Sequence, residues 1–130
     1  MGVINVKEDA QQRIERAHKR DVKSAVTSTL VLGLESTVSN GMLVKEGTTP
    51  GTYELADASS ATALINYLPE LEDEMPNGEI TLDAGSYKAS IALSGFCRMA
   101  DQGSEADNWT AYSRLRQFGI QAEVLGAIYG

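Results

Sequence analysis

A long alternating segment constrains the fold of this chain more than any other feature. Within Ser86–Met99, one side of the alternation is apolar or small: Tyr87, Ala89, Ile91, Leu93, Gly95, Cys97 and Met99. The opposite side is marked by Lys88, Ser90, Ser94 and Arg98. Because successive side chains of a β-strand point to opposite faces, the pattern predicts a strand with one buried face. We expect this strand to form the centre of the core.

Shorter segments around it also predict β-structure. Leu30–Leu34 is an apolar run, and turn signals at Ser39–Gly41 and Gly47–Gly51 precede two further short strands. These strands are Met42–Val44 and Tyr53–Leu55, and a final strand is predicted from the alternation of Ile120, Ala122, Val124 and Ile128. Asp57–Leu68 fits either a short helix or a buried strand, and its periodicity does not decide between them.

One helix is predicted near the C-terminus. Ser104 followed by Asp107 is typical of a helix start, and Gly119 is typical of a helix end. The predicted helix carries an apolar stripe of Trp109, Tyr112, Leu115 and Phe118. A stripe of this kind usually packs on a sheet, and contact with a partner is the alternative.

These elements predict an α+β, β-rich fold of one domain, because 130 residues are enough for one core. We expect a small antiparallel sheet or barrel-like core, an N-terminal helical or extended arm, and one C-terminal helix. The predicted organisation is a basic arm over residues 1–23 and a single β-rich domain over residues 24–130.

The charges are distributed unevenly between these two parts. Residues 1–23 carry six Lys and Arg and four Asp and Glu, whereas the rest of the chain carries five and fourteen. The net charge of the whole chain is −7. We therefore expect no nucleic-acid binding, since neutralising phosphates needs clustered cations. The arm has only a thin apolar stripe, so it is either solvated or held by something outside its own domain.

The sequence offers little for membrane insertion or catalysis. The longest apolar stretch, Leu30–Leu34, is far short of a membrane span of about 20 residues, and charges begin within the first seven positions. We expect synthesis in a cytoplasm and no membrane partner. The chain has one histidine, His18 in the arm, and one cysteine, Cys97, which we interpret as a buried small hydrophobe. A catalytic triad or a zinc site needs more than these, so we predict no enzyme, no metal and no cofactor.

Two acidic loops are candidates for a cation site or an enzyme site. Glu70–Glu74 and Asp101–Asp107 have many carboxylates, but neither reproduces the twelve-residue calcium loop. Solubilising loops are the better interpretation. A glycosidase or lyase remains as an alternative, with its acid groups among Glu70, Glu72, Asp73 and Glu74.

Two segments, Asn40–Val44 and Tyr53–Asp57, precede the alternating strand, which ends in the step Gly95-Phe-Cys-Arg98. This arrangement resembles that of decoration, or cement, proteins of tailed-phage capsids. The resemblance covers about residues 27–103. It implies a small β-rich protein, trimeric or bound singly, on the outer surface of an expanded shell, made in the host cytoplasm and found on the virion. The implied partner is the major capsid protein.

The arm is the expected contact with that partner. We predict apolar or strand-pairing anchors at Val3, Ile4 and Val6, and charge partners at Arg13, Arg16, Lys19 and Arg20. The alternative is a head-tail connector or tail morphogenesis subunit, in which the helix with Trp109 and Phe118 forms a ring interface.

Overall fold

The computed structural model describes residues 22–72 and 78–124. Its strands are β1 (Val22–Leu32), β2 (Ser36–Ser39), β3 (Leu43–Glu46), β4 (Thr52–Leu55), β5 (Ala63–Tyr67), β6 (Glu79–Leu82), β7 (Gly85–Met99) and β8 (Ile120–Val124). A short 3-10 helix, Pro69–Leu71, follows β5, and helix α1 (Glu105–Arg116) lies between β7 and β8. The predicted β-rich class with one C-terminal helix is confirmed.

Five of the strands close on themselves. Their order is β1, β4, β3, β5 and β7, and β7 pairs again with β1. The β1–β7 pairing is antiparallel and runs from Val22 opposite Gly95 to Leu32 opposite Gly85. Closure leaves these five strands with neighbours on both sides and removes the free edges of an open sheet. The predicted barrel-like core is therefore confirmed, and we call the five strands the barrel.

The last part of β7 extends past the residues that pair with β1. There, Gly95–Met99 pairs in parallel with β8, and α1 makes the connection that a parallel pair requires. We call residues 95–124 the C-terminal layer.

A separate two-stranded sheet, β2 with β6, was not predicted from the sequence. It is antiparallel and pairs Ser36 with Leu82 and Ser39 with Glu79. Its inward side chains, Val38 and Ile80, pack with residues of the barrel. The small sheet therefore covers part of the barrel.

Alternate residues of the barrel strands face two different cores. In β3, Val44 packs inside the barrel and Leu43 packs against the C-terminal layer; in β5, Ile65 and Leu64 divide in the same way. The barrel core consists of Leu30, Leu32, Val38, Val44, Ala63, Ile65, Leu68, Leu71, Ala89 and Ile91. A strand buried on both faces has no period of two, which is why residues 57–68 were ambiguous in the sequence.

The alternating face of β7 is buried as predicted, but it does not serve a single core. Ala89 and Ile91 belong to the barrel core, whereas Cys97 and Met99 belong to the core beneath α1. Between them, Gly95 has a φ of +106°. The neighbouring β1–β7 register also shifts between Val22 and Ala25. An irregularity of this kind changes which residues point to a given face, so the prediction of one continuous face was wrong.

The turn between β2 and β3 fastens the barrel to the C-terminal layer. The backbone N–H of Gly41 donates to Ile65 O (2.8 Å), and Gly41 O accepts from the N–H of Ala100 (2.9 Å). A Cβ at Gly41 would lie 2.6 Å from Arg98 O, and its φ is +85°. Glycine is required at this turn for both reasons.

The predicted boundary between arm and domain falls inside a strand. β1 begins at Val22, so Val22 and Lys23 are barrel residues, although they lie within the segment 1–23 assigned to the arm. Residues 1–21, including the rest of the arm, lie outside the described residues, as do residues 125–130 with Ile128 of the predicted last strand.

Candidate protein-interaction surface

Helix α1 starts at a well-defined cap, which fixes its position on the domain. The Ser104 side chain accepts a hydrogen bond from the N–H of Asp107 (3.1 Å). Asn108 is buried; its Oδ1 accepts from the N–H of Gln102 (2.7 Å), and its Nδ2 donates to Asp101 Oδ1 (3.1 Å). These bonds join the loop before α1 to its first turn. The helix start predicted at Ser104 is confirmed.

The side of α1 that faces the core differs from the predicted stripe. The buried residues are Asn108, Ala111 and Leu115. Trp109 is 67% exposed and Phe118 is 42% exposed. The interpretation of Trp109 and Phe118 as core residues was therefore wrong, because the core contact of α1 is rotated by about one residue around the helix axis.

Trp109, which is exposed, and Tyr112, which is half-buried, form an ordered cluster. The Trp109 and Tyr112 rings stack with centroids 5.3 Å apart and an interplanar angle of 19°. Tyr112 Oη accepts a hydrogen bond from Gln121 Nε2 (2.6 Å), which ties the cluster to β8. The guanidinium of Arg116 lies 5.7 Å from the Tyr112 ring centroid, and that of Arg114 lies 4.9 Å from the Phe118 ring centroid. We call Trp109 and Tyr112 the aromatic surface.

A groove of about 490 Å³ runs between α1 and β8 beside this surface. Its lining consists of Glu105, Asn108, Trp109, Tyr112, Ala122, Glu123 and Val124. Among the described residues, β8 pairs only with β7. Exposed aromatic side chains beside an apolar groove are typical of a contact with another protein. The sequence indicated Trp109 and Tyr112, and it predicted Ala122 and Val124 as strand residues, but it gave no sign that the strand lines a groove.

Two further depressions are lined mostly by polar side chains. At one of them, the carboxylate of Asp57 has a local structural role. Hydrogen bonds from the side chains of Ser60 and Ser59, and from their backbone N–H groups, lower the pKa of Asp57. Asp101 on the loop before α1 is similar, since the Gly103 N–H and the Asn108 side chain lower its pKa. Both carboxylates accept hydrogen bonds within turns, which explains their pKa without any catalytic role. The second polar depression lies along β1 and β7, at residues 27–29 and 86–88.

Cys97 is 1% exposed in the core beneath α1. Burial raises the pKa of its thiol to about 11. A thiol in this environment is protonated and a poor nucleophile at neutral pH. The interpretation of Cys97 as a buried small hydrophobe is confirmed.

Within residues 22–72 and 78–124, no group of three or more His, Cys, Asp or Glu side chains is placed to hold a metal ion. Glu70 and Glu72 are exposed, and Asp73 and Glu74 lie outside the described residues. None of the helices in the described part of the chain is long and apolar enough to span a membrane.

The residues predicted to bind the capsid lie outside the described residues. These are Val3, Ile4, Val6, Arg13, Arg16, Lys19 and Arg20. Neither a scan against protein-family models nor a search of curated proteins found a match for this chain. Its function is therefore argued from its surfaces and its charge distribution.

Proposed function

We propose that this chain is a decoration protein that binds the outer surface of a tailed-phage capsid and stabilises the shell. The observation that carries the proposal is the contrast in charge between the arm and the domain behind it. Residues 1–21 contain five basic and four acidic side chains, a net charge of +1, whereas the described residues contain six basic and twelve acidic side chains, a net charge of −6. An acidic domain stays dispersed before assembly, and a basic arm is attracted to acidic patches on another protein.

The position of the motifs in the fold adds support. Asn40–Val44 and Gly95–Arg98, two of the segments that carry the resemblance, are in direct contact through Gly41 and Arg98. Together they fasten the C-terminal layer to the barrel. Weak individual contacts of such a protein gain strength when they are repeated over a shell.

The test is co-sedimentation of the protein with purified, expanded shells of the phage that encodes it. A variant that lacks residues 1–21 keeps all of β1, so the domain should still unfold cooperatively in urea. We expect it to lose binding to the shell. Undiminished binding by this variant would contradict the proposal.

A charge-matched comparison separates the arm from general electrostatics. Changing Arg13, Arg16 and Lys19 to Gln removes three positive charges from the arm. The control changes Lys23, Lys45 and Lys88 to Gln; all three lie on barrel strands. We expect only the arm variant to lose shell binding, and equal loss in both would contradict a specific role of the arm.

A head-tail connector or tail subunit is the second candidate, and the exposed aromatic surface on α1 favours it. Trp109 at 67% exposure offers a large apolar contact to a neighbouring copy. Negative-stain electron microscopy of the purified protein distinguishes the two functions. Closed rings would favour the connector, and single particles without rings would favour the decoration protein.

A further inference from the structure

The outer side of α1 carries a line of four residues with opposite charges at its two ends. They are Glu105, Trp109, Tyr112 and Arg116, spaced by four, three and four residues. This spacing places them in one row on a helix of 3.6 residues per turn. The row has an acid in the first turn, two aromatic residues in the middle and a base in the last turn. We call these four residues the α1 stripe.

Three residues of the α1 stripe are exposed, and the fourth, Tyr112, is half-buried against the core beneath α1. Glu105 and Arg116 are exposed, and Trp109 is 67% exposed. Neither Glu105 nor Arg116 forms an ion pair with another described residue. The stacked Trp109 and Tyr112 rings form a flat platform between these two charges, and little side-chain freedom remains to be lost when a partner covers it.

The geometry points to a two-fold homodimer in which α1 packs antiparallel against α1 of a second copy of this chain. Glu105 precedes Trp109 by four residues, and Arg116 follows Tyr112 by four. A single axis between Trp109 and Tyr112 therefore places Trp109 opposite the partner's Tyr112. The same axis places Glu105 opposite the partner's Arg116.

Charge complementarity identifies the occupant of this surface as a second copy in antiparallel orientation. A parallel arrangement would bring Glu105 against the partner's Glu105 and Arg116 against the partner's Arg116. The antiparallel arrangement pairs opposite charges twice and also opposes the two helix dipoles favourably. The groove between α1 and β8 includes Glu105, Trp109 and Tyr112 in its lining, so the partner's helix covers its rim. Such an interface is isologous and closes at two copies.

This inference goes beyond the proposed function and depends only on α1. Its first test uses the full-length protein in sedimentation equilibrium over a range of concentrations. Trp109 is the only tryptophan of the chain, so its fluorescence reports directly on the interface. We expect the mass to rise from monomer to dimer with concentration, and the emission to shift to shorter wavelength in parallel.

Substitution of the exposed Trp109 tests the centre of the stripe without disturbing the core. The Trp109→Ala variant should raise the dimer dissociation constant by about 100-fold, as expected for a central aromatic anchor. A monomer at all concentrations, a trimer or larger ring as the smallest assembly, or a dimer that is unaffected by Trp109→Ala would each overturn the inference.

A charge exchange tests the antiparallel register. Glu105→Arg and Arg116→Glu, each alone, should weaken the dimer by roughly tenfold, because each places like charges together twice. Mixing the two single variants, or combining both changes in one chain, restores opposite charges and should return the dissociation constant to within about threefold of the parent. If neither the mixture nor the double variant recovers the dissociation constant of the parent, the antiparallel register is wrong.

Matched controls lie in the same turns of α1 but point away from the stripe. Asp107→Arg makes the same charge change in the first turn, and Gln117→Glu adds an acid at the C-terminal end. Both alter the interaction with the helix dipole much as the stripe variants do, but neither contacts the partner. We expect both to dimerise like the parent, and a loss equal to that of the stripe variants would contradict the proposed contact.

Discussion

The barrel and the C-terminal layer use the same strand, β7, in two different ways. In the barrel, β7 lies between β1 and β5, and its inward side chains meet those of four other strands. In the C-terminal layer, Gly95–Met99 pairs with β8, and α1 covers one face through Ala111 and Leu115. The exposed aromatic residues of α1 lie on this second part. The comparison shows that the barrel supports the rest of the domain, whereas the C-terminal layer presents a surface for contact.

The largest effect is expected in the barrel core. Ile91 is fully buried there, and the closed strands around it have little room to move into a cavity. Ile91→Ala should lower the free energy of unfolding by about 4 kcal/mol, measured by urea denaturation. Val31→Ala, on an adjacent strand but 37% exposed, is the control and should lower it by less than about 1 kcal/mol. Similar losses in both would mean that the barrel interior is not the tight core described above.

A smaller effect is expected in the C-terminal layer, and it should be local. Leu115→Ala should lower the free energy of unfolding by about 2 to 3 kcal/mol, because α1 is free to move toward the sheet and fill part of the cavity. Alkylation of Cys97 beneath α1 should become faster, since a thiol that is 1% exposed reacts only when the layer opens. Ser113→Ala on the exposed side is the control. Unchanged protection of Cys97 in Leu115→Ala would show that the layer does not open separately.

Gly95, where the barrel and the layer meet, should give an intermediate to small effect. Its φ of +106° is unfavourable for any residue with a Cβ, so Gly95→Ala should lower the free energy of unfolding by about 1 to 2 kcal/mol. Gly33→Ala is the control, because no atom lies within 4 Å of a Cβ built there. We expect that variant to be unchanged or slightly more stable. A neutral Gly95→Ala would mean that the change of face in β7 does not depend on this backbone conformation.

The smallest effect is expected at two surface carboxylates, one beside each part. The pKa of Asp57, before β5, and that of Asp101, before α1, are both lowered by hydrogen bonds. A carboxylate with a lowered pKa in the folded state stabilises the fold above its unfolded pKa, and the contribution is lost as the pH falls through the folded pKa. For both groups this loss occurs below the ordinary aspartate pKa of about 3.9.

A pH titration monitored by nuclear magnetic resonance checks whether the pKa of each of the two carboxylates is lowered. Ser60→Ala removes a donor to Asp57 and should raise the pKa of Asp57 toward its ordinary range, while Asp101 serves as the internal control. A shift of both carboxylates, or of neither, would contradict the local origin of the lowered pKa.

Local signals in the sequence predicted the local elements well. The alternation in Ser86–Met99 and the capping residue Ser104 correspond to β7 and to the start of α1, because both patterns report interactions within a few residues. Trp109 and Phe118 were predicted to pack on the sheet, and this prediction was wrong because both are exposed. Asn108 is polar but buried, because its side chain is hydrogen-bonded to Asp101 and Gln102. A prediction that assigns only apolar residues to the core side of a helix therefore misplaces the buried side of α1.

By itself, the sequence determined the positions of β3, β4, β7 and β8, where the C-terminal helix starts, and that the arm is basic while the domain is acidic. It left β5 ambiguous and gave no prediction of β2 and β6. Only the tertiary structure decided that the strands close into a barrel, that β7 changes its buried face at Gly95, and that α1 presents Trp109 outward. The physical reason is that strand pairing and the choice of a packing face depend on residues far apart in the chain, which no local period records.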